Sequence, residues 1–249
     1  MVDIHCHILP DVDDGADSME DALQMARMAA ASGVRTILAT PHCNLPLSEE
    51  KNYISMELRD QFVALARAVK RAGIPLSILP GAEVFCTPEV PELLDQRLLL
   101  GLAGTRYLLV EFFFDESPDF MNAILRAIAV RGMIPVVAHP ERYDAVQGSS
   151  GLAEDWVRRG YVLQVNKGSI LGSLGQGAEL AADRLLQLGL AHVVASDAHS
   201  SLSRTPELDV LRQYLTKAFS ARYAELLLET NPQRILTDQP VVSFRQFNL

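Results

Sequence analysis

The sequence predicts an α/β fold of the TIM-like class, in which seven parallel strands alternate with helices in a closed or nearly closed barrel, one strand short of the usual eight. Three observations predict it. An amphipathic stretch, a glycine and a short aliphatic run recur at Gly33-Val34, Gly73-Ile74, Gly132-Met133, Gly160-Tyr161 and Gly189-Leu190, each glycine standing where a helix C-cap needs a left-handed residue. The aliphatic runs are mostly continuous, as parallel strands covered on both faces require. Nearly every run also ends in a histidine or a carboxylate, at the end where such barrels carry their chemistry.

The first strand, Met1 to His7, points Asp3, His5 and His7 the same way by its period of two, and two imidazoles so placed can grip one metal ion. The Asp11-Val12-Asp13-Asp14-Gly15 stretch that follows lacks the alternating acceptors and closing glutamate of an EF-hand. Ser18 caps the first helix, with Asp21 three residues on and Met19, Ala22, Leu23, Ala26, Ala29 and Ala30 on one face. The strand Val34 to Thr40 leads into Pro41-His42. A helix from about Glu50 to Ala72 shows Leu58, Phe62, Leu65 and Val69 at helical spacing, and the strand Leu76 to Pro80 runs into Gly81-Ala82-Glu83. Glu111 lies in the strand Tyr107 to Phe112, and a helix opening at Pro118 carries Met121, Ile124, Leu125 and Ile128. The strand Ile134 to Ala138 ends at His139. Helices over Leu152 to Arg159 and Ala178 to Leu188 flank the strand Tyr161 to Val165, and the strand His192 to Ser196 ends at Asp197 and His199. Helices at Pro206 to Phe219, Tyr223 to Glu229 and Asn231 to Leu236 follow. No linker, low-complexity segment or charge run divides the chain, so residues 1–249 read as one domain.

With 49% hydrophobic and 21% charged residues, the 249-residue chain can bury a sizeable core. No apolar run reaches the roughly 18 to 20 residues of a membrane-spanning helix, and the chain enters a strand almost at once, without a basic and then apolar leader. A cytoplasmic protein is expected. The three cysteines, Cys6, Cys43 and Cys86, in no paired spacing, fit a reducing compartment and small side chains packed under a site. A formal charge of −9 argues against nucleic-acid binding through a basic face.

Six of the seven strand ends carry ligand-type residues: His5 and His7, His42, Glu83, Glu111, His139, and Asp197 with His199. Carboxylates after strands often cap helices and histidines there often meet only solvent. Glu111 resists that reading, because it sits between Leu108-Leu109-Val110 and Phe112-Phe113-Phe114, where an unpaired carboxylate costs several kcal/mol. His192 is the contrasting case, at the beginning of its strand and so at the opposite mouth; it reads as structural. With Asp14, nine ligand-type residues gather at one end, too many for one ion. Two or three divalent metals, one carboxylate bridging, account for them, and the nitrogen and oxygen donor set suits manganese, iron, zinc or magnesium. The cluster points to hydrolysis, with ions that activate water and clamp a substrate oxyanion.

These motifs resemble the polymerase and histidinol phosphatase (PHP) superfamily. Within it they are similar to the capsule-operon, CpsB/YwqE-like, manganese-dependent protein-tyrosine phosphatases of bacteria. Asp3-Ile4-His5-Cys6-His7 with Asp13-Asp14-Gly15, Ala39-Thr40-Pro41-His42, Gly81-Ala82-Glu83, His139-Pro140-Glu141-Arg142-Tyr143, Gln164-Val165-Asn166 and Ala195-Ser196-Asp197-Ala198-His199 carry the resemblance over essentially the whole chain. It implies a distorted seven-stranded barrel holding three metals, manganese among them, on His5, His7, Asp14, His42, Glu83, Glu111, His139, Asp197 and His199. It also implies that Arg142 and Arg204 hold the substrate phosphate; an arginine beside a ligand loop suits the bidentate geometry phosphate prefers. The stretches Cys43-Asn44-Leu45-Pro46 and Phe112-Phe113-Phe114-Asp115 depart from the family pattern, and Thr205 stands where proline is common.

Phosphotyrosine hydrolysis on a protein is the expected activity. A phenol leaves with a pKa of about 10, so the demand for a strong general acid is modest; Asp14 or a water could supply the proton. A cysteine nucleophile would need an arginine roughly six positions on; Val12, Glu49 and Glu92 stand there. The resemblance implies as partner the tyrosine-rich tail of a bacterial autokinase that controls capsular and exopolysaccharide synthesis. The competing readings are a small-molecule phosphomonoesterase, such as a histidinol phosphatase, and a non-catalytic PHP module.

Overall fold

A computed structural model of the chain describes residues 1–49 and 51–244. The elements run β1 (Val2–Cys6), α1 (Met19–Ala31), β2 (Thr36–Ala39), β3 (His42–Cys43), α2 (Met56–Arg71), β4 (Ser77–Pro80), β5 (Glu83–Phe85), α3 (Val90–Asp95) and β6 (Tyr107–Glu111). They continue with α4 (Pro118–Ala129), β7 (Ile134–Ala138), α5 (Asp144–Gly148), α6 (Gly151–Arg158), β8 (Val162–Asn166), α7 (Lys167–Ile170), α8 (Gln176–Gln187), β9 (Val193–Ala195), α9 (Asp209–Ala218), α10 (Ala221–Glu225) and α11 (Asn231–Leu236).

The strands are parallel and form two sheets, β1-β2-β4 and β3-β5-β6-β7-β8-β9. Two of the expected strands, Val34 to Thr40 and Leu76 to Pro80, are each followed after a split by a short strand that was not expected, β3 and β5, in the other sheet. The first split falls at Thr40-Pro41, because Pro41 has no N–H to give the ladder. The second falls at Gly81-Ala82 after Pro80. A Cβ on Gly81 would lie 3.0 Å from Thr40 Cγ2 and 3.1 Å from Leu102 Cδ2, so a glycine lets the two crossing segments meet. A parallel bridge between Cys6 and Ala198, flanked by His7 N→Ala198 O at 2.8 Å and Asp197 N→His5 O at 2.9 Å, ties the end of β1 to the segment after β9.

Helix ends follow local chemistry. Ser18 accepts from Asp21 N at the start of α1, and all five repeat glycines take positive φ. The second helix was expected from Glu50, which lies outside the described residues; α2 starts at Met56, where the Ser55 hydroxyl accepts from Leu58 N. It buries Leu58, Phe62, Leu65, Ala68 and Val69. The expected helix at Tyr223 begins at Ala221 and passes through a π-helical turn, Leu226–Thr230, into α11. Helices α3, α5 and α7 were not expected, since four to six residues are too few to show a helical period. The core is made of strand residues such as Ile4, Ile37, Val110, Val137, Leu163 and Val194, all fully buried. Among the described residues no helix is long and apolar enough to cross a membrane.

Candidate metal centre

Strands β1, β3, β5 and β6 and the turns after β7 and β9 bring their polar residues together. Glu83, at the start of β5, is the hub: its Oε2 lies 3.1 Å from His5 Nε2, 3.2 Å from His7 Nε2 and 3.1 Å from His42 Nδ1. Its Oε1 lies 3.0 Å from His139 Nε2. Glu111 Oε1, at the end of β6, is 2.8 Å from His42 Nδ1, and Asp197 Oδ1 is 3.4 Å from His5 Nε2. Asp14 Oδ1 reaches His42 Nε2 at 3.5 Å and His199 Nε2 at 3.4 Å, and the His7 and His199 rings stack at 4.0 Å. Three groups of atoms are close enough to share an ion: His7, Asp14, His42 and His199; His5, His7 and Glu83; and His42, Glu83 and Glu111. His139 and Asp197 fall outside these groups, each within hydrogen-bonding or ion-pair distance of a member. No cysteine belongs to them.

The tautomers of His5 and His7 follow from their partners. The Asp197 carboxylate can only accept, so Asn166 donates to it through Nδ2 and turns its Oδ1 to Gln164 Nε2, 2.8 Å away. Gln164 Oε1 is thereby left to accept from His5 Nδ1 at 2.8 Å. Asp13 Oδ2 accepts from His7 Nδ1 at 2.7 Å in the same way. Both Nε2 atoms then point at each other, 3.2 Å apart, with the Glu83 carboxylate between them. Two lone pairs and an anion cannot share a buried space without positive charge, which either protons or divalent ions supply. The residues fit a metal on this ground.

The electrostatics agree. Burial opposes charge on His7, yet Asp13 and Glu83 lift its pKa well above the usual imidazole value; Glu83 and Asp197 raise that of His5 against the same penalty. Burial likewise works against the Glu83 carboxylate, and the surrounding His5, His139 and His42 hold it well below the ordinary range. His42 also suffers burial, but Glu111 and Glu83 bring it up to about 9. His199, desolvated and beside His7, is pushed down to about 3, which leaves it a neutral donor at working pH.

Arg204 donates to Asp197 Oδ2 and lies 3.2 Å from His199 Nε2, so it joins the cluster. Arg142 does so less directly, from the turn Pro140–Arg142: its guanidinium lies 4.2 Å over the Phe114 ring, whose centroid is 6.0 Å from that of His139. Cys6, Cys43 and Cys86 are buried free thiols, and burial raises all three pKa values, that of Cys43 to about 12. They lack the character of nucleophiles. His192 stands apart as expected, its Nδ1 accepting from Leu163 N and its pKa pushed down to about 4 by burial. Asp3, expected to point the same way as His5 and His7, accepts from the Ser196 hydroxyl and amide and takes no part in the three groups.

Sequence reasoning gave no role to Asp13, Gln164 or Asn166. A signal existed: Gln164 and Asn166 are two amides, two residues apart, in an otherwise apolar strand. Asp13 also accepts from Gly15 N and His42 N, bracing two loops at once. Asp13→Ala is expected to weaken metal affinity about 10- to 100-fold, the usual effect of losing a partner that orients a ligating histidine. A metal titration of the variant measures it, and unchanged affinity contradicts the role.

A family model described as capsular polysaccharide synthesis, CpsB/CapC, matches residues 1–237. The tyrosine-protein phosphatase YwqE of Bacillus subtilis (strain 168) is 37% identical over 246 residues, which covers 99% of this chain and 94% of that protein. The tyrosine-protein phosphatase CpsB of Streptococcus pneumoniae is 32% identical over 244 residues, covering 96% and 99%. Among solved structures, one described with the crystal structures of YwqE from Bacillus subtilis and CpsB from Streptococcus pneumoniae, "unique metal-dependent tyrosine phosphatases", matches with a TM-score of 0.90 and 36% identity. It covers 98% of this chain and 97% of the other.

Proposed function

The chain belongs to the CpsB/CapC family of capsular polysaccharide synthesis, and from that membership we propose that it is a metal-dependent protein-tyrosine phosphatase whose substrate is phosphotyrosine in a protein. The observation that carries the reading is the Nε2 pair of His5 and His7, 3.2 Å apart and both against the Glu83 carboxylate, a buried space that needs positive charge and offers divalent ions the nitrogens to bind. His5, His7, Asp14, His42, Glu83, Glu111, His139, Asp197 and His199 would hold two or three divalent ions, manganese by preference. We further propose that the two sheets work as one distorted seven-stranded barrel, that residues 1–249 form a single domain, and that the protein acts in the cytoplasm.

Bound metals would supply an activated water and the positive charge that a phosphoryl-transfer transition state needs. The protein's own residues do the rest. Gln164 and Asp13 hold the His5 and His7 rings with Nε2 turned inward. Arg142, stacked on Phe114, and Arg204, at the Asp197 edge, are placed to hold non-bridging phosphate oxygens. Asp14 is the most exposed of the proposed ligands, its side chain 66% accessible, and stands where it could protonate a departing phenolate. The half-exposed Phe113 and Phe114 offer an aromatic wall at the same mouth.

The proposed physiological substrate is the tyrosine-rich tail of a bacterial autokinase that controls polysaccharide export. Turnover on a phosphotyrosine peptide from such a tail is expected to exceed that on histidinol phosphate by at least about 100-fold in kcat/KM, the scale on which differential binding discriminates substrates. A ratio reversed in favour of histidinol phosphate overturns the protein-phosphatase reading.

A further inference from the structure

Strand β8 ends in no proposed ligand, yet its last residues and the one after it touch three parts of the site edge. Gln164 orients His5, Asn166 donates to Asp197, and Lys167 turns the other way, toward the segment that carries Arg204. The Lys167 ammonium donates to the backbone carbonyl of Thr205, the residue next to Arg204, and to that of Glu207 at 3.2 Å. An ammonium has three donors and no acceptor, so two converging carbonyls suit it, and burying it without them would be costly.

The segment between His199 and Leu208 needs such a hold. Arg204 has φ +49°, a left-handed conformation that residues bearing a Cβ keep only where their surroundings impose it. A cavity of about 720 Å³ opens beside it, lined in part by Lys167, Leu171, Arg204, Thr205 and Glu207, so packing on that side is slack. The remaining anchors lie toward the ends of the segment: Ser201 N donates to Asp21 Oδ1 and Leu208 N to Ser32 Oγ, both at 3.2 Å. Near Arg204, Ser200 Oγ accepts from Ser203 N and donates to Ser203 O within the segment, the guanidinium reaches Asp197 and His199, and His199 N donates to Arg204 O at 2.9 Å; on the far side of Arg204 the backbone is held by the Lys167 clasp.

We infer that Lys167 is a positioning residue for substrate phosphate: by clasping the Thr205 and Glu207 carbonyls it fixes the backbone from which the Arg204 guanidinium reaches the site. The inference rests on the reading of Arg204 as a phosphate-binding group. Strand β8, though without ligands, and the Lys167 that follows it thereby align both the Asp197 carboxylate and the substrate arginine.

The test uses the manganese-loaded protein, a phosphotyrosine peptide as substrate and inorganic phosphate as competing ligand. Lys167→Met is expected to raise the peptide KM and the phosphate Ki about tenfold, the size of a lost charge-assisted hydrogen bond, while kcat stays within about threefold and bound manganese is unchanged. Lys167→Arg is expected to recover most of the loss. Arg204→Ala raises the same two constants, and Lys167→Met added to it has little further effect, since a clasp with no guanidinium to place has nothing left to do. Should Lys167→Met not fold, Lys167→Gln carries the test, with an intermediate rise because its amide keeps a donor. Full additivity of the two substitutions, or a fall in kcat and metal content with KM unmoved, overturns the inference and makes Lys167 merely structural. If Arg204→Ala leaves KM and Ki unchanged, the phosphate-binding reading of Arg204 is what fails.

Discussion

Glu83→Ala is expected to lower phosphotyrosine-peptide turnover at least about a thousandfold, equivalent to the roughly 4 kcal/mol lost when one partner of a buried charged set is removed. The geometry sets the size of the effect. Glu83 is the one carboxylate within 3.2 Å of His5, His7, His42 and His139, so its loss strips the counter-charge from four imidazoles at once. Metal content is expected to fall with activity. Glu111→Ala and His139→Ala should likewise lose turnover and metal uptake, because each removes one near neighbour of the cluster, at His42 and at Glu83 respectively. His192→Ala should leave both nearly intact, since the His192 ring accepts from Leu163 N, its carbonyl accepts from the Asn231 side-chain amide, and neither partner belongs to the cluster. Equal losses in all four variants would mean that the ligand-bearing end of the sheets has been wrongly assigned.

Chelation of the loaded protein is expected to abolish turnover of the peptide, and manganese returned to the chelated sample to restore it. This follows from a site whose own residues include no competent nucleophile: its thiols are buried and their pKa values raised. Protons and metal compete for the same imidazoles, which adds a pH signature. The folded-state pKa of His42 is about 9 against 6.5 for the free side chain, so its ion pairing contributes stability to the metal-free protein fully below pH 6.5. That contribution is lost as pH rises through about 9. Divalent-metal affinity is expected to move the opposite way over the same window, because an ion needs the bare nitrogen. The gap in Tm between loaded and metal-free protein should therefore widen from pH 6.5 to 9. A gap that stays constant, or narrows, contradicts competition at His42; persistent turnover after verified metal removal would sink the metal-dependent mechanism itself.

The sequence by itself determined the α/β class and the places where strands end. Those follow from local patterns: continuous aliphatic runs, helix caps such as Ser18, and glycines that alone take positive φ cheaply. It also determined that ligand-type side chains gather at one end, because in a parallel β/α arrangement every strand presents its C-terminal residue to the same side. Glu111 was legible for a further reason, since a carboxylate among six apolar residues has to meet a cation.

Only the tertiary structure decided which of these atoms meet. Glu83 became the hub, Arg204 came to lie against Asp197, and the strands at Pro41 and Gly81 broke between two sheets. Asp3, on the same strand face as His5 and His7, was drawn away to Ser196. Asp13, Gln164 and Asn166 acquired their roles in the same way, through hydrogen bonds to residues 6, 159 and 31 positions away. Periodicity reports which face a side chain takes, whereas a hydrogen bond depends on distance and direction between segments, and those exist only once the chain has folded.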